Sequence, residues 1–78
     1  MIFVTNDDGM GKNIRYLRQK MGISRQQLAQ RMGICFRELC DIEEGTQWEI
    51  DGAVLINICQ FFHIPPETLV EKKLEKFL

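Results

Sequence analysis

Between Gly22 and Gly45 the chain reads GISRQQLAQRMGICFRELCDIEEG, two short helical patterns each shut by a glycine. Ser24 and Gln27 have the spacing of a capping box, in which the serine hydroxyl takes the third helical N–H and the glutamine reaches back to the cap N–H. Leu28, Ala29 and Met32 then share one face of the first pattern, and Leu39 and Ile42 share one face of the second. Gly33 supplies the left-handed backbone that a tight helix stop needs. Two helices joined only by Gly33-Ile34-Cys35 cannot lie antiparallel and must cross steeply, which is helix-turn-helix geometry.

Seventy-eight residues suffice for one small core. The longest apolar runs are far too short to span a membrane. Met1-Ile2-Phe3-Val4 lacks a basic leader, and three cysteines in a chain without an export signal fit reduced thiols, so a cytoplasmic protein is expected. The net charge of -1 conceals a segregation. From Gly9 to Arg37 there are seven basic residues and no acid, whereas Glu38 to Asp51 holds six acids and no base. A basic face able to meet a polyanion is compatible with the overall balance; so is a set of solvated helix faces.

In chain order, Met1 to Val4 has strand character and ends at the turn signal Asn6-Asp7-Asp8-Gly9. Residues 1–10 are read as an N-terminal extension, strand or disordered, and residues 11–78 as the domain. A first helix is predicted from Gly11 or Lys12 to Met21, with Ile14, Leu17 and Met21 inward and Arg15, Arg18 and Lys20 outward. After the paired helices, Thr46 to Ile50 reads as a loop. Asp51 then caps a fourth helix that turns Val54, Leu55, Ile58, Cys59 and Phe62 inward, with Ile56 and Phe61 broadening its apolar face. Pro65-Pro66 stops that helix and opens a fifth, carrying Val70, Leu74, Phe77 and Leu78 on one side.

The inventory for catalysis is poor. His63, the one histidine, stands at a helix end before two prolines, where it serves most simply as a C-terminal cap, and no nucleophile, base and orienter can be assembled around it. Gly9-Met10-Gly11-Lys12 is followed by Asn13 where a phosphate loop needs serine or threonine. Cys35, Cys40, Cys59 and His63 could in principle ligate zinc, but Cys35 and Cys40 have the wrong spacing and Cys59 falls on an inward face. The expectation is a non-enzyme with no cofactor, no metal and no small-molecule substrate.

The residues Ile14-x-x-Leu17-Arg18, Gly22-Ile23-Ser24-x-x-x-Leu28-Ala29, Gly33-Ile34, Leu39-x-x-Ile42-Glu43-x-Gly45 and Leu69 resemble the phage-repressor and Cro-like (Xre-like) helix-turn-helix family over about three quarters of the chain. That resemblance implies an all-α fold, a compact five-helix lambda-repressor-like bundle, together with sequence-specific binding of double-stranded DNA as a homodimer in bacterial or phage transcriptional control. In this docking mode the start of the second motif helix enters the major groove and the first lies across the backbone. Arg25 and Gln26 then fall at phosphates or the groove rim, and Phe36 and Arg37 at base edges. Asp41, Thr46 and Gln47 also match positions that commonly touch DNA.

The chain departs from the family in four ways. Arg25 replaces the usual glutamine after the capping serine. Cys35 replaces the serine or threonine that caps the recognition helix, which weakens that start by about 1 kcal/mol. The usual proline after the glycine loop is missing, with Ile50 near its place. The recognition helix itself is acidic, carrying Glu38, Asp41, Glu43 and Glu44; the resemblance gives Glu43 an ordinary structural role and Glu38 suits the helix N-terminus, which leaves Asp41 facing the groove. A second function class therefore stands beside the first: a protein-interaction module, antitoxin-like or a regulatory partner, built on the same fold. Ile2, Phe3, Val4, Trp48, Ile50, Phe77 and Leu78 are candidates for a dimer surface in either case, or for completing a small core.

Overall fold

The computed structural model describes residues 3–5, 9–47 and 49–71. Five helices follow a short first strand: β1 (Phe3–Thr5), α1 (Met10–Met21), α2 (Arg25–Met32), α3 (Phe36–Glu44), β2 (Glu49–Asp51), α4 (Gly52–Phe62) and α5 (Pro66–Glu71). The all-α class with a helix-turn-helix at its centre is therefore the fold. The strands add something the sequence reading placed in a loop. β1 and β2 pair antiparallel, Val4 opposite Ile50, so the apolar run near the N-terminus finds its partner within the chain. Ile50, left open between a dimer surface and the core, is wholly buried in the core. Ile2, Trp48, Leu74, Phe77 and Leu78 lie outside the described residues, as do the side chains of Phe3, Val4 and Val70.

Each helix starts and stops for a local reason. Gly22, Gly33 and Gly45 all adopt left-handed backbone at the ends of α1, α2 and α3, each donating its N–H back to the closing turn. The same job at the end of α4 falls to His63, whose φ of 58° is the one positive value among the described non-glycine residues. This costs more than glycine would, because a Cβ crowds the following carbonyl. Asp51 caps α4 by accepting the Ala53 N–H at 2.8 Å.

The core draws on every helix. Met10, Ile14, Leu28, Ala29, Met32, Leu39, Ile42, Ile50, Leu55, Ile58, Cys59 and Leu69 are buried together. Leu17, Val54 and Phe62 pack on its margin as half-buried residues. Met21 does not follow Ile14 inward; it is 53% exposed. It sits two turns, about 10 Å, further along α1, past the end of the core. Two polar or small residues set the seat of α1. Asn13 is buried and its Nδ2 donates to the Leu69 carbonyl at 2.6 Å, tying α1 to α5. Gly11 lies so close to α3 that a side chain there would collide with the Ile42 carbonyl. The motif is thus held on α1 from one side and on α4 from the other.

Candidate nucleic-acid interface

The start of α2 is built by the capping box. Ser24 Oγ accepts the Gln27 N–H at 3.1 Å, and Gln27 Oε1 accepts the Ser24 N–H at 2.8 Å. Gln26 stands exposed on this first turn. At the start of α3 the cap is sulfur: Cys35 Sγ accepts the Glu38 N–H at 3.4 Å. The cysteine fills the role of the missing serine with a longer, softer acceptor. Immediately after it, Phe36 is 52% exposed and the Arg37 side chain 86% exposed. A large aromatic left in solvent beside an extended guanidinium is an unusual use of a helix's first turn.

The polypeptide beyond α3 folds back onto the same helix. The Thr46 and Gln47 backbone N–H groups both donate to the Asp41 carbonyl, at 2.9 and 3.1 Å. Thr46 Oγ1 donates to Asp41 Oδ1 at 3.2 Å, and Gln47 Nε2 donates to Glu38 Oε2 at 3.3 Å. Arg37 Nε stands 3.8 Å from Asp41 Oδ1, one helical turn away. Five of the residues singled out from sequence, Phe36, Arg37, Asp41, Thr46 and Gln47, therefore share α3 and the loop that closes on it.

Arg25, expected at phosphates or the groove rim, is the first residue of α2, with its side chain 24% exposed. Its guanidinium turns toward α3, with Nε 3.0 Å from Glu43 Oε1 and Nη1 3.2 Å from Glu44 Oε2. The hydrogen bond it donates to Glu43 holds its pKa above the usual guanidinium value, outweighing desolvation, which acts the other way. Glu43 also receives Arg18, through Nε at 2.8 Å and Nη2 at 3.1 Å. Arg18 Nη1 donates in addition to the Ile23 carbonyl at 3.0 Å. Arg18 was expected outside, yet its side chain is only 11% exposed, against 0% for Glu43. The sequence carried the signal: Leu39, Ile42 and Glu43 fall on one helical face, so Glu43 is carried inward and needs a cation.

This pairing changes the meaning of the acidic helix. Glu43 is neutralised by two arginines, Glu44 by Arg25, Asp41 faces Arg37 and Thr46, and Glu38 is bonded by Gln47. The other lysine and arginine side chains among the described residues lie outside. Lys12 and Arg15 are exposed along α1, Lys20 Nζ lies 5.6 Å over the Tyr16 ring, and Arg31 lies 5.9 Å over Phe61. Among the described residues no group of three or more His, Cys, Asp or Glu is placed to hold a metal ion. The thiols are dispersed by environment, Cys35 exposed, Cys40 half-buried and Cys59 buried. No described helix is long and apolar enough to cross a membrane.

Comparison with known proteins gives three results. A family model described as helix-turn-helix matches residues 14–69. Sequence comparison with curated proteins gives no significant match. Solved structures do align. The P22 c2 repressor, determined in complex with synthetic operator 9T, is 23% identical with a TM-score of 0.75, over 83% of this chain and 97% of that one. The N-terminal DNA binding domain of SinR from Bacillus subtilis is 25% identical with a TM-score of 0.75, over 82% and 93%. The restriction-modification controller protein C.AhdI from Aeromonas hydrophila is 23% identical with a TM-score of 0.69, over 77% and 89%.

Proposed function

The chain belongs to the phage-repressor and Cro-like (Xre-like) helix-turn-helix family, and from that premise we propose that it is a transcriptional regulator that binds operator DNA in a sequence-specific manner as a homodimer. The observation that carries the reading is the first turn of α3, where Phe36 and Arg37 extend into solvent while the acids behind them are occupied by the chain's own donors. In the docking mode of the motif this turn enters the major groove. Arg37 is placed to pair with guanine, and the Phe36 ring to lie on a thymine methyl. Gln26 and the capped N-terminus of α2 meet a phosphate, where helix N–H groups favour an anion. Asp41 either accepts from a cytosine amine or orients Arg37, and Thr46 and Gln47 line the groove wall from the loop. The fold aligns with that of the P22 c2 repressor, a protein determined in complex with synthetic operator 9T, which supports DNA as the partner.

Binding to random duplex should weaken steeply with salt, by about 0.9 in log K per log salt for each phosphate neutralised. Selection from a random duplex library should return a palindrome with half-sites about one helical turn apart. Arg37→Ala should relax the preference at one position of each half-site at a cost of about 1–3 kcal/mol. If the wild-type chain shows no duplex binding even at low salt, the proposal fails and the interaction-module reading replaces it.

A further inference from the structure

We propose that Arg25 is a positioning residue, a clamp between the first turn of α2 and the last turn of α3, and that it keeps Glu44 from repelling the DNA backbone. Its part in DNA binding rests on the function proposed above. The clamp itself does not.

A guanidinium at the first position of a helix stands at the positive end of the macrodipole, where a cation is disfavoured. The last turn of α3 has the opposite fault, with Glu43 and Glu44 at the negative end of the dipole and no basic residue among its own side chains. Arg25 resolves both, because its head group crosses from α2 to α3. Nε reaches Glu43 at 3.0 Å, and Nη1 reaches Glu44 at 3.2 Å and Cys40 Sγ at 3.6 Å. Glu43 does not depend on Arg25 alone, since Arg18 already binds both of its oxygens. Glu44 is different. It is 55% exposed, and Arg25 is its one ion-pair partner among the described residues. Without Arg25 the edge of the motif would carry an uncompensated carboxylate, and the steep crossing of α2 and α3 would lose its polar tie. A fork that bridges two carboxylates is a task for arginine rather than lysine, whose ammonium is a point charge.

The alternative role for Arg25, a direct phosphate contact, predicts different numbers. A phosphate ligand replaced by a neutral residue lowers the slope of log K against log salt by about one unit. A clamp makes the loss depend on Glu44: the affinity that Arg25→Gln removes, about tenfold, returns when Glu44 is also made neutral. Arg25→Gln, Glu44→Gln and the double variant, titrated against the selected operator across a salt series, separate the two. Restoration of most of the lost affinity by Glu44→Gln in the Arg25→Gln background supports the clamp. A slope reduced by about one unit, with no restoration, overturns it.

Measurements without DNA test the clamp alone. The effects of Arg25→Gln and Glu44→Gln on the melting temperature should be less than additive, and the wild-type Arg25 Nε–H resonance should be protected from exchange. Additive effects together with a rapidly exchanging Nε–H would overturn it. If wild-type protein ignores duplex DNA altogether, the regulator reading falls and these ligand-free results still decide the clamp.

Discussion

Glu43 shows what one buried charge demands of its surroundings. Its carboxylate is fully enclosed and accepts from Arg18 and Arg25, which come from α1 and α2, so a single side chain of α3 ties three helices. Removing Glu43 strips the largely buried Arg18 of its carboxylate and takes one of the two ion pairs of Arg25, and breaking such a buried pair costs about 3–5 kcal/mol. Glu43→Ala should therefore lower the urea midpoint severely, whereas Glu44→Ala, at a side chain 55% exposed, should change stability by no more than about 1 kcal/mol. Comparable losses from the two would refute the hierarchy. Asn13 poses the same problem without a charge. Replacing it by alanine orphans the Leu69 carbonyl and should cost about 1–3 kcal/mol, read by denaturant titration. Neither partner was visible in the sequence. Helical periodicity shows which face turns inward, but it does not say that Arg18 lies 25 residues from its carboxylate or Asn13 56 from its carbonyl. Gly11 was hidden for the same reason: a close approach to the Ile42 backbone leaves no mark on local pattern.

At the level of helices, the ends were legible because caps are local chemistry. Ser24, Gln27, Asp51 and the glycine stops act within four or five residues of themselves, and the chain spells them out. The exposure of Phe36 and Arg37 on the first turn of α3, on which the proposed site rests, was legible from their place in the motif. The redirection of Arg25 into α3 required the third dimension. Cap chemistry also makes its own predictions. Ser24→Ala removes half of a capping box and should cost about 1 kcal/mol. Cys35→Ser should move stability the other way, by up to about 1 kcal/mol, because a hydroxyl accepts the Glu38 N–H better than sulfur at 3.4 Å. Cys35 is exposed, so the exchange leaves no cavity. Midpoints that shift in these opposite directions with an unchanged m-value would check the pair. A destabilised Cys35→Ser protein would mean that the sulfur does something other than cap.

For the molecule as a whole, the distribution of its three cysteines provides an internal gauge of cooperativity. All five helices and β2 contribute to one core, and Cys59 lies inside it at 3% exposure while Cys35 lies on the surface. Thiol-specific labelling should modify Cys35 within the dead time and Cys40 more slowly. Cys59 should react only as fast as the chain opens, because a buried thiol is out of reach of reagent. Its labelling should follow the same denaturant curve as helix loss by circular dichroism, since one core means one transition. Burial, assisted by the nearby Glu67 charge, pushes the Cys59 thiol above its ordinary value of 9.0. The linkage has a definite sign. Below that ordinary value both folded and unfolded chains keep the proton, and the stabilisation is intact. Above it the unfolded chain releases the proton first, so stability declines until the folded thiol ionises too. Wild-type protein should therefore lose stability more steeply than Cys59→Ala between about pH 8 and 10, and the gap between the two should narrow as pH rises. Parallel curves for the two proteins, or Cys59 labelling well before helix loss, would show instead that α4 opens separately from the helices that carry the motif.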